Sequence, residues 1–492
     1  MNNESINIKG AIDMNELEEQ IFEAKKSGLT DQEIGAKYNV NLRFIEKIMT
    51  MRLGVNVSSP NMKKKIKRLQ PKEFAEEKTT IWSFKSRGNW ATHNGNYRGN
   101  WSPYIPRNVI SRYSNENDLV LDCFCGAGTT GVECKLLNRS FIGIDINPQA
   151  IELAKSNIDF PFLGKLSGDY TLPDIDFKVG DARDLYFIKD ESINLICTHP
   201  PYADIIHYTD NSEQDLSFCE LNDFLHEMDK VAKENYRVLK DSQYCAVLIG
   251  DMRKKKHVVP MGFWLIDVYL KNGFSLKELV IKRQHNCKTT GFWYKNSIKY
   301  NFLLLAHEYL AIFKKYSPKK ETLAEIKTSE LSFKSIDIEL ETTTVWIFDH
   351  KNWYNKTIQN LIERYDSNNY FIINKIEDLN KLKKRHKLRS IAIIASTKHK
   401  NTEAICKKAD EIISNIQDNG FLAIICGDKR LTDGTIYPSG IELEKILRNQ
   451  KELKIKELVV ISLENNHSDI KLGKDLDISH KYLLVYRVDK GG

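Results

Sequence analysis

Apolar residues along this chain change their period several times, and the changes mark its elements. Short, nearly continuous apolar runs at Leu119–Cys123, Phe141–Asp145, Ile193–Thr198 and Tyr244–Gly250 have the length of buried strands. Helical patterning fills the gaps, with Thr130–Leu137 after the first run and a segment to about Ile158 after the second. Strands alternating with helices over about 105–315 predict a doubly wound, mostly parallel sheet. Ser275–Ile281 and Phe302–Phe313 then read as a hairpin that closes it.

Residues 14–53 carry a separate helical pattern. Thr30, with Glu33 three residues later, makes a capping box for a helix started by Gly28–Gly35. Tyr38-Asn39-Val40-Asn41 reads as a turn, and Phe44, Ile45, Ile48 and Met51 then recur at helical spacing. This unit resembles the helix-turn-helix of transcription factors, whose second helix enters a major groove. A three-helix interaction module is the plainer reading. Residues 59–78, with Pro60, Pro71 and the run Lys63–Arg68, read as a basic linker. Such a run is ordinarily solvated, and between two DNA-contacting modules it also tracks phosphates.

Composition changes this picture little. The 492 residues suggest two to four domains, with 41% hydrophobic and 28% charged residues, as in globular proteins. The net charge of +7 suits a polyanion partner without requiring one. No apolar run approaches a membrane span, and Met1–Gly10 lacks the apolar centre of a signal peptide. Nine cysteines without a CxxC pair point to reduced thiols in a cytoplasm, with no metal site expected.

The chemistry sits at strand ends. Leu121-Asp122-Cys123-Phe124-Cys125-Gly126-Ala127-Gly128-Thr129-Thr130 runs from a strand through a Gly-x-Gly turn into a helix. Glycines let backbone approach a ligand, and a helix N-terminus offers free N–H groups. The next strand ends at Asp145-Ile146, placed to accept hydrogen bonds from ribose hydroxyls. A later one is followed by Asp181-Ala182, an acceptor for an adenine amino group. Together they describe a nucleoside pocket.

Cys197-Thr198-His199-Pro200-Pro201-Tyr202 follows the apolar strand Ile193–Thr198. Here the chain resembles the S-adenosylmethionine-dependent amino-methyltransferases of DNA, whose signature is Asp, Asn or Ser followed by Pro-Pro-Tyr or Pro-Pro-Phe. The resemblance covers about residues 80–315. It implies S-adenosylmethionine as cofactor, held by Asp122, Phe124, Gly126, Gly128, Thr129, Thr130, Asp145, Ile146, Asp181 and Ala182. Trp101, Ser102 and Pro103, in the segment before the first strand, are implied to close over the cofactor's methionine end. His199, Pro200, Pro201 and Tyr202 are the implied catalytic group, with the aromatic ring stacking on a base flipped out of duplex DNA. His199 departs from the family. A neutral imidazole offers one acceptor nitrogen for that role, and the departure equally fits a weakened enzyme. It also leaves adenine N6 and cytosine N4 both open as targets. Arg253, Lys254, Lys255 and Lys256 follow a strand on the presumed catalytic face and are the expected phosphate contacts.

A second half echoes the first. Tyr244–Arg253 matches Phe421–Arg430, Lys277–Val280 matches Lys456–Val459, and His307–Leu310 matches His480–Leu483. Thr80–Phe84 is echoed by Thr344–Phe348, and Arg112-Tyr113 by Arg364-Tyr365. Shared order and spacing mark an internal repeat. The later copy lacks the glycine turn, the ribose carboxylate and the Pro-Pro-Tyr.

The expected architecture is α/β. It comprises a Rossmann-like seven-stranded methyltransferase fold, a helix-turn-helix module and a C-terminal degenerate methyltransferase-like domain. The boundaries read 1–58 for the helical module, 59–78 linker, 79–318 catalytic, 319–340 linker and 341–492 degenerate repeat, an internal pseudo-subunit that grips DNA through basic stretches at 381–389 and 398–400. The expected activity is methylation of double-stranded DNA in a prokaryotic restriction-modification or defence setting, cytoplasmic and at the nucleoid. A tRNA guanine-N2 methyltransferase and a DNA-binding regulator with a vestigial fold are the other readings.

Overall fold

The computed structural model describes residues 14–27, 29, 31–40, 45, 48, 66–95, 97, 99–161, 172–202, 216, 219–254, 256–285, 288–315, 331–365, 369–374, 388–395, 405–464 and 475–491. Helices α1 (Met14–Lys26) and α2 (Asp31–Tyr38) bury Ile21 and Ile34 together with Ile45 and Ile48. The expected cap Thr30, the residues Asn41, Phe44 and Met51, and most of the basic stretches at 63–65, 381–389 and 398–400 lie outside the described residues.

The main sheet is built from β1 (Ile81–Ser83), α3 (Tyr104–Tyr113), β2 (Leu119–Asp122), α4 (Thr129–Leu136), β3 (Ser140–Asp145), α5 (Pro148–Asn157), β4 (Ile175–Val179), β5 (Ile193–Thr198), α6 (Leu221–Val238), β6 (Leu239–Gly250), the small hairpin β7 (Met252–Lys254) and β8 (His257–Val259), α7 (Met261–Lys271), β9 (Phe274–Arg283), α8 (Lys288–Lys299) and β10 (His307–Lys315). The strand order is β1-β9-β10-β6-β5-β2-β3-β4. β10 runs antiparallel to both neighbours, and the other pairings are parallel.

Three expectations need correcting. The sheet has eight strands, not seven, because β1 adds an edge beside β9. Three residues are too few to show a period. The last two strands are not a simple hairpin, since α8 intervenes. Its Thr289-Thr290-Gly291 are poor helix formers and hid it. Residues 66–78 are not a free linker. Ile66 and Leu69 pack beside Trp90, and Gln70 accepts a hydrogen bond from Arg107.

The second half continues with β11 (Val345–Asp349), α9 (Trp353–Arg364), β12 (Tyr370–Ile373), β13 (Arg389–Ala395), α10 (Ala409–Ser414), β14 (Ile416–Cys426), β15 (Lys429–Arg430), β16 (Ile436–Tyr437), α11 (Ser439–Leu447), β17 (Leu453–Glu464) and β18 (His480–Val488). Its six-stranded sheet has the order β11-β17-β18-β14-β13-β12. That is the order β1-β9-β10-β6-β5-β2 again, with the same directions. Among the described residues nothing corresponds to β3 and β4, the strands that end in Asp145 and precede Asp181. Leu331 and Phe333, expected in a linker, pack on this second core.

The two sheets join through a reciprocal contact, in which each interaction recurs with the halves exchanged. Arg253 donates to Glu457 at 2.5 Å, and Arg430 donates to Glu278 at 2.6 Å. Both carboxylates are buried, Glu457 at 1% exposure and Glu278 at 0%. The Thr80 hydroxyl meets His480 Nδ1 at 2.7 Å, while Thr344 meets His307 Nδ1 at 3.0 Å. Each histidine then bonds a tyrosine through Nε2, and each tyrosine donates to an aspartate. The pairs are Tyr482 with Asp428 and Tyr309 with Asp251. Phe263 packs on both tyrosines at the centre. Such exchange of partners is the mark of an isologous, two-fold interface, here formed within one chain.

Arg253→Ala should leave Glu457 buried and unpaired. The expected loss is about 3–5 kcal/mol, read from the denaturant midpoint, and Arg430→Ala should cost the same order. A loss below about 1 kcal/mol in both would mean that these pairs do not hold the halves together.

Candidate active site

β2, β3 and β5 are parallel, so their C-terminal ends open on one edge. A cleft lies there, at the strand ends where open α/β sheets place ligands. One side chain organises its floor. Asp122 is 1% exposed and accepts hydrogen bonds from Phe124 N–H (3.1 Å), Thr130 Oγ1 (2.6 Å) and Thr198 Oγ1 (2.7 Å). The glycine turn, the start of α4 and the end of β5 are thus fixed to one carboxylate. Burial pushes its pKa up to about 6, against the pull of those three donors.

The glycine turn divides its labour. Gly126 has φ +49°, and a Cβ there would sit 3.0 Å from the Tyr97 ring. Its N–H donates to Asp145 Oδ2 at 2.9 Å. Asn147 N–H donates to Asp145 Oδ1 at 2.9 Å, so the carboxylate is fixed at the β3 end. Phe124, Ile146, Asp181, Ala182 and Trp101 also line the cleft. Asp181 is clamped by Arg183, which reaches both of its oxygens.

Five expected cofactor residues do not line it. Gly128, with φ +76°, is needed because a Cβ would press within 2.9 Å of Ala154 Cβ on α5. Thr130 is turned to Asp122, and the Thr129 hydroxyl donates to Asn100 Oδ1. Ser102 donates to the Arg87 carbonyl, and Pro103 begins α3. Tyr97, Asn100 and Leu216 line the cleft instead. Tyr97 and Asn100 stand in the same aromatic-rich segment as Trp101, and that segment was the available signal. Nothing in the local pattern marks Leu216.

His199, Pro200 and Pro201 form one wall of the cleft. The His199 ring stacks on Trp101, with centroids 5.7 Å apart and planes at 23°. It bonds the Gly99 carbonyl, while Nε2 is buried with no hydrogen-bond partner among the described residues. With the proton on Nδ1, Nε2 is left as an acceptor. Burial lowers the His199 pKa to about 4, so the imidazole is neutral near pH 7.

Tyr202 stands edge-on to His199 and donates to Glu308 Oε1 at 3.0 Å. Lys282 holds Glu308 Oε2 at 2.6 Å. Burial alone would raise the Glu308 pKa, but Lys282 and the Tyr202 hydroxyl outweigh it and hold it below the usual carboxylate range. Gly250 makes room, since a Cβ there would lie 2.9 Å from the Tyr202 hydroxyl. Glu308, Lys282 and Gly250 carried no motif signal, because they come from three different strands.

The expected phosphate contacts divide as well. Arg253 is not available for DNA, because it is spent on Glu457 and the Leu303 carbonyl in the contact between the sheets. A strand end facing a second domain gives an arginine a buried partner that sequence does not reveal. Lys254 and Lys256 are exposed, and Lys255 lies outside the described residues. Among the described residues no helix is long and apolar enough to cross a membrane.

Residues 3–156 match the family model described as DNA methylase, and residues 114–276 match one described as a methyltransferase domain. The chain is similar to the Type II methyltransferase M.HpaI of Haemophilus parainfluenzae, 55% identical over 11% of this chain and 18% of that protein. It is 27% identical to the Type II methyltransferase M.BglI of Bacillus subtilis over 25% of this chain and 37% of the relative. A tRNA (guanine(10)-N2)-dimethyltransferase of Methanothermobacter thermautotrophicus is 31% identical over 22% of this chain and 29% of its own length. The chain thus spans well under two thirds of each of these relatives.

Asp122→Ala should strand the Phe124 N–H and loosen both threonines. The expected cost is about 2–4 kcal/mol, since a buried donor without a partner costs about 1–3 on its own. Chemical denaturation checks it, and an unchanged midpoint would show that water replaces the carboxylate.

Proposed function

We propose that this chain, whose residues 3–156 match a DNA methylase model and 114–276 a methyltransferase-domain model, methylates the exocyclic amino group of a base in duplex DNA. The observation that carries this reading is the junction of the cleft lined by Phe124, Gly126, Asp145 and Asp181 with His199, whose buried Nε2 lacks a partner among the described residues. S-Adenosylmethionine, when bound, supplies a methyl group made electrophilic by its sulfonium. Asp145 would hold its ribose, Asp181 with Ala182 its adenine, and Phe124, Gly126 and Trp101 the remaining walls.

The chain's own residues prepare the amino nitrogen. Its lone pair is delocalised into the base, so it is a weak nucleophile. Drawing an amino hydrogen onto His199 Nε2 raises density on nitrogen. The alkylated nitrogen sheds its proton readily, so no strong base is required and positioning supplies much of the rate. Pro200 and Pro201 stiffen the loop, and Tyr202 offers its ring to the flipped base. The second sheet serves as a built-in subunit, which its reciprocal contacts support, and residues 1–58 add a grip on DNA. Thr198 before His-Pro-Pro-Tyr leans to cytosine N4, and the abundance of adenine enzymes leans to N6. A modification role in a restriction system is the setting the Type II relatives suggest.

A tRNA guanine-N2 activity is the second reading, favoured by the likeness to the archaeal tRNA enzyme. Long-read sequencing of DNA from cells expressing the protein should report one modified base in one motif. His199→Ala should erase the signal while leaving S-adenosylmethionine affinity intact by calorimetry. Unmodified DNA alongside methylated tRNA would move the assignment to the second reading. Unmodified DNA and tRNA with bound cofactor would sink both.

The pH profile is a separate check. Protonation removes the Nε2 acceptor, and the folded pKa lies at about 4. Single-turnover rate should therefore hold from about pH 8 to about pH 6.5, above the range in which Asp122, with its pKa of about 6, takes up its proton. A histidine of ordinary pKa, about 6.5, would lose about half the rate at the lower end of that span, and such a loss would refute the assignment.

A further inference from the structure

We propose that α8, the helix between β9 and β10, is a docking face for the DNA duplex; this rests on the DNA reading above. The crossover that carries it is unusual in charge. From Leu279 to His307 the chain has no Asp or Glu, but has Lys282, Arg283, Lys288, Lys295 and Lys299. The corresponding segment of the second copy, 465–479, carries Asp469, Asp475 and Asp477. The acid-free stretch therefore belongs to the half that holds the cleft, and not to the repeat as such.

The helix sorts its side chains by face. Asn296 and Ser297 are buried. Tyr294 is 46% exposed and Ile298 61%, and Lys295 and Lys299 are exposed beside them. Spacings of one and four residues put all four on one side of the helix. An apolar pair interleaved with two cations suits a surface that is both anionic and flat. Phosphates take the lysines, and sugars and base edges take the ring and the aliphatic chain.

Location supports the same partner. β9 is parallel to β1 and lies on the same sheet as β5 and β6, so it delivers α8 to the cleft edge. β10 leaves α8 and presents Glu308, which holds Tyr202, as its second residue. At the far end of the helix, Lys256 Nζ lies 4.0 Å from the centroid of the Tyr300 ring. Lys254 and Lys256, the exposed part of the expected basic cluster, thus continue the α8 surface. The DNA contact expected of Arg253 passes to this helix.

The test uses the full chain and a mixed-sequence DNA duplex across a salt series. Lys295→Glu/Lys299→Glu should weaken binding at least tenfold at low salt and lower the salt slope by about 2, one for each phosphate no longer neutralised. Tyr294→Ala/Ile298→Ala should weaken binding with the slope unchanged. Unaltered S-adenosylmethionine affinity would show that both variants keep their fold. Lys189→Glu/Lys451→Glu, two exposed lysines elsewhere, makes the same change in net charge and should have little effect. If it weakens binding as much, or if both α8 variants bind DNA as the wild type does, the proposal is overturned. Wild-type protein that methylates duplex DNA in that case keeps the functional reading. Wild-type protein that binds and methylates tRNA but not duplex DNA overturns both.

Discussion

A carboxylate removed from water is costly unless donors surround it. Asp122 is such a group, and the catalytic half is arranged around its three donors. Through Phe124 N–H it sets the turn that exposes Gly126. Through Thr130 it seats α4 on the sheet. Through Thr198 it fixes the last residue of β5, directly before His199. The cleft and the His199–Tyr202 loop therefore share one anchor, and movement of either is felt by the other.

The target loop has a second support on its far side. Tyr202 rests on Glu308, Glu308 on Lys282, and neighbouring His307 on Thr344 of the other half. One peptide separates Glu308, which holds Tyr202, from His307, which faces the internal interface. The second sheet lacks, among the described residues, the strands that would bind a nucleoside, yet it keeps the polar contacts of the shared face. What it retains is what supports its partner.

Much of this was legible in the chain. The strands that end in Asp122, Asp145 and Thr198 announce themselves by buried apolar runs, and the repeat by matched pairs such as Arg112-Tyr113 and Arg364-Tyr365. Local motifs resolve what lies close in sequence. They failed where partners come from distant strands, as with Arg253 and Glu457 or Tyr202 and Glu308. They also misjudged Thr129 and Thr130, which sit in a ligand motif but spend their hydroxyls on internal bonds. α8 escaped because a Thr-Thr-Gly start reads as a loop when its surroundings are unknown.

The reciprocal contact also bears on strand choice. A two-fold pair of equal subunits matches a palindromic site, one active centre for each strand. Here the pair is covalent and, among the described residues, one half alone carries the cleft, so on the proposed DNA reading each landing would present a single reactive pocket. A palindrome would then pass through a hemimethylated stage, and the second strand would need release and re-docking in the opposite sense.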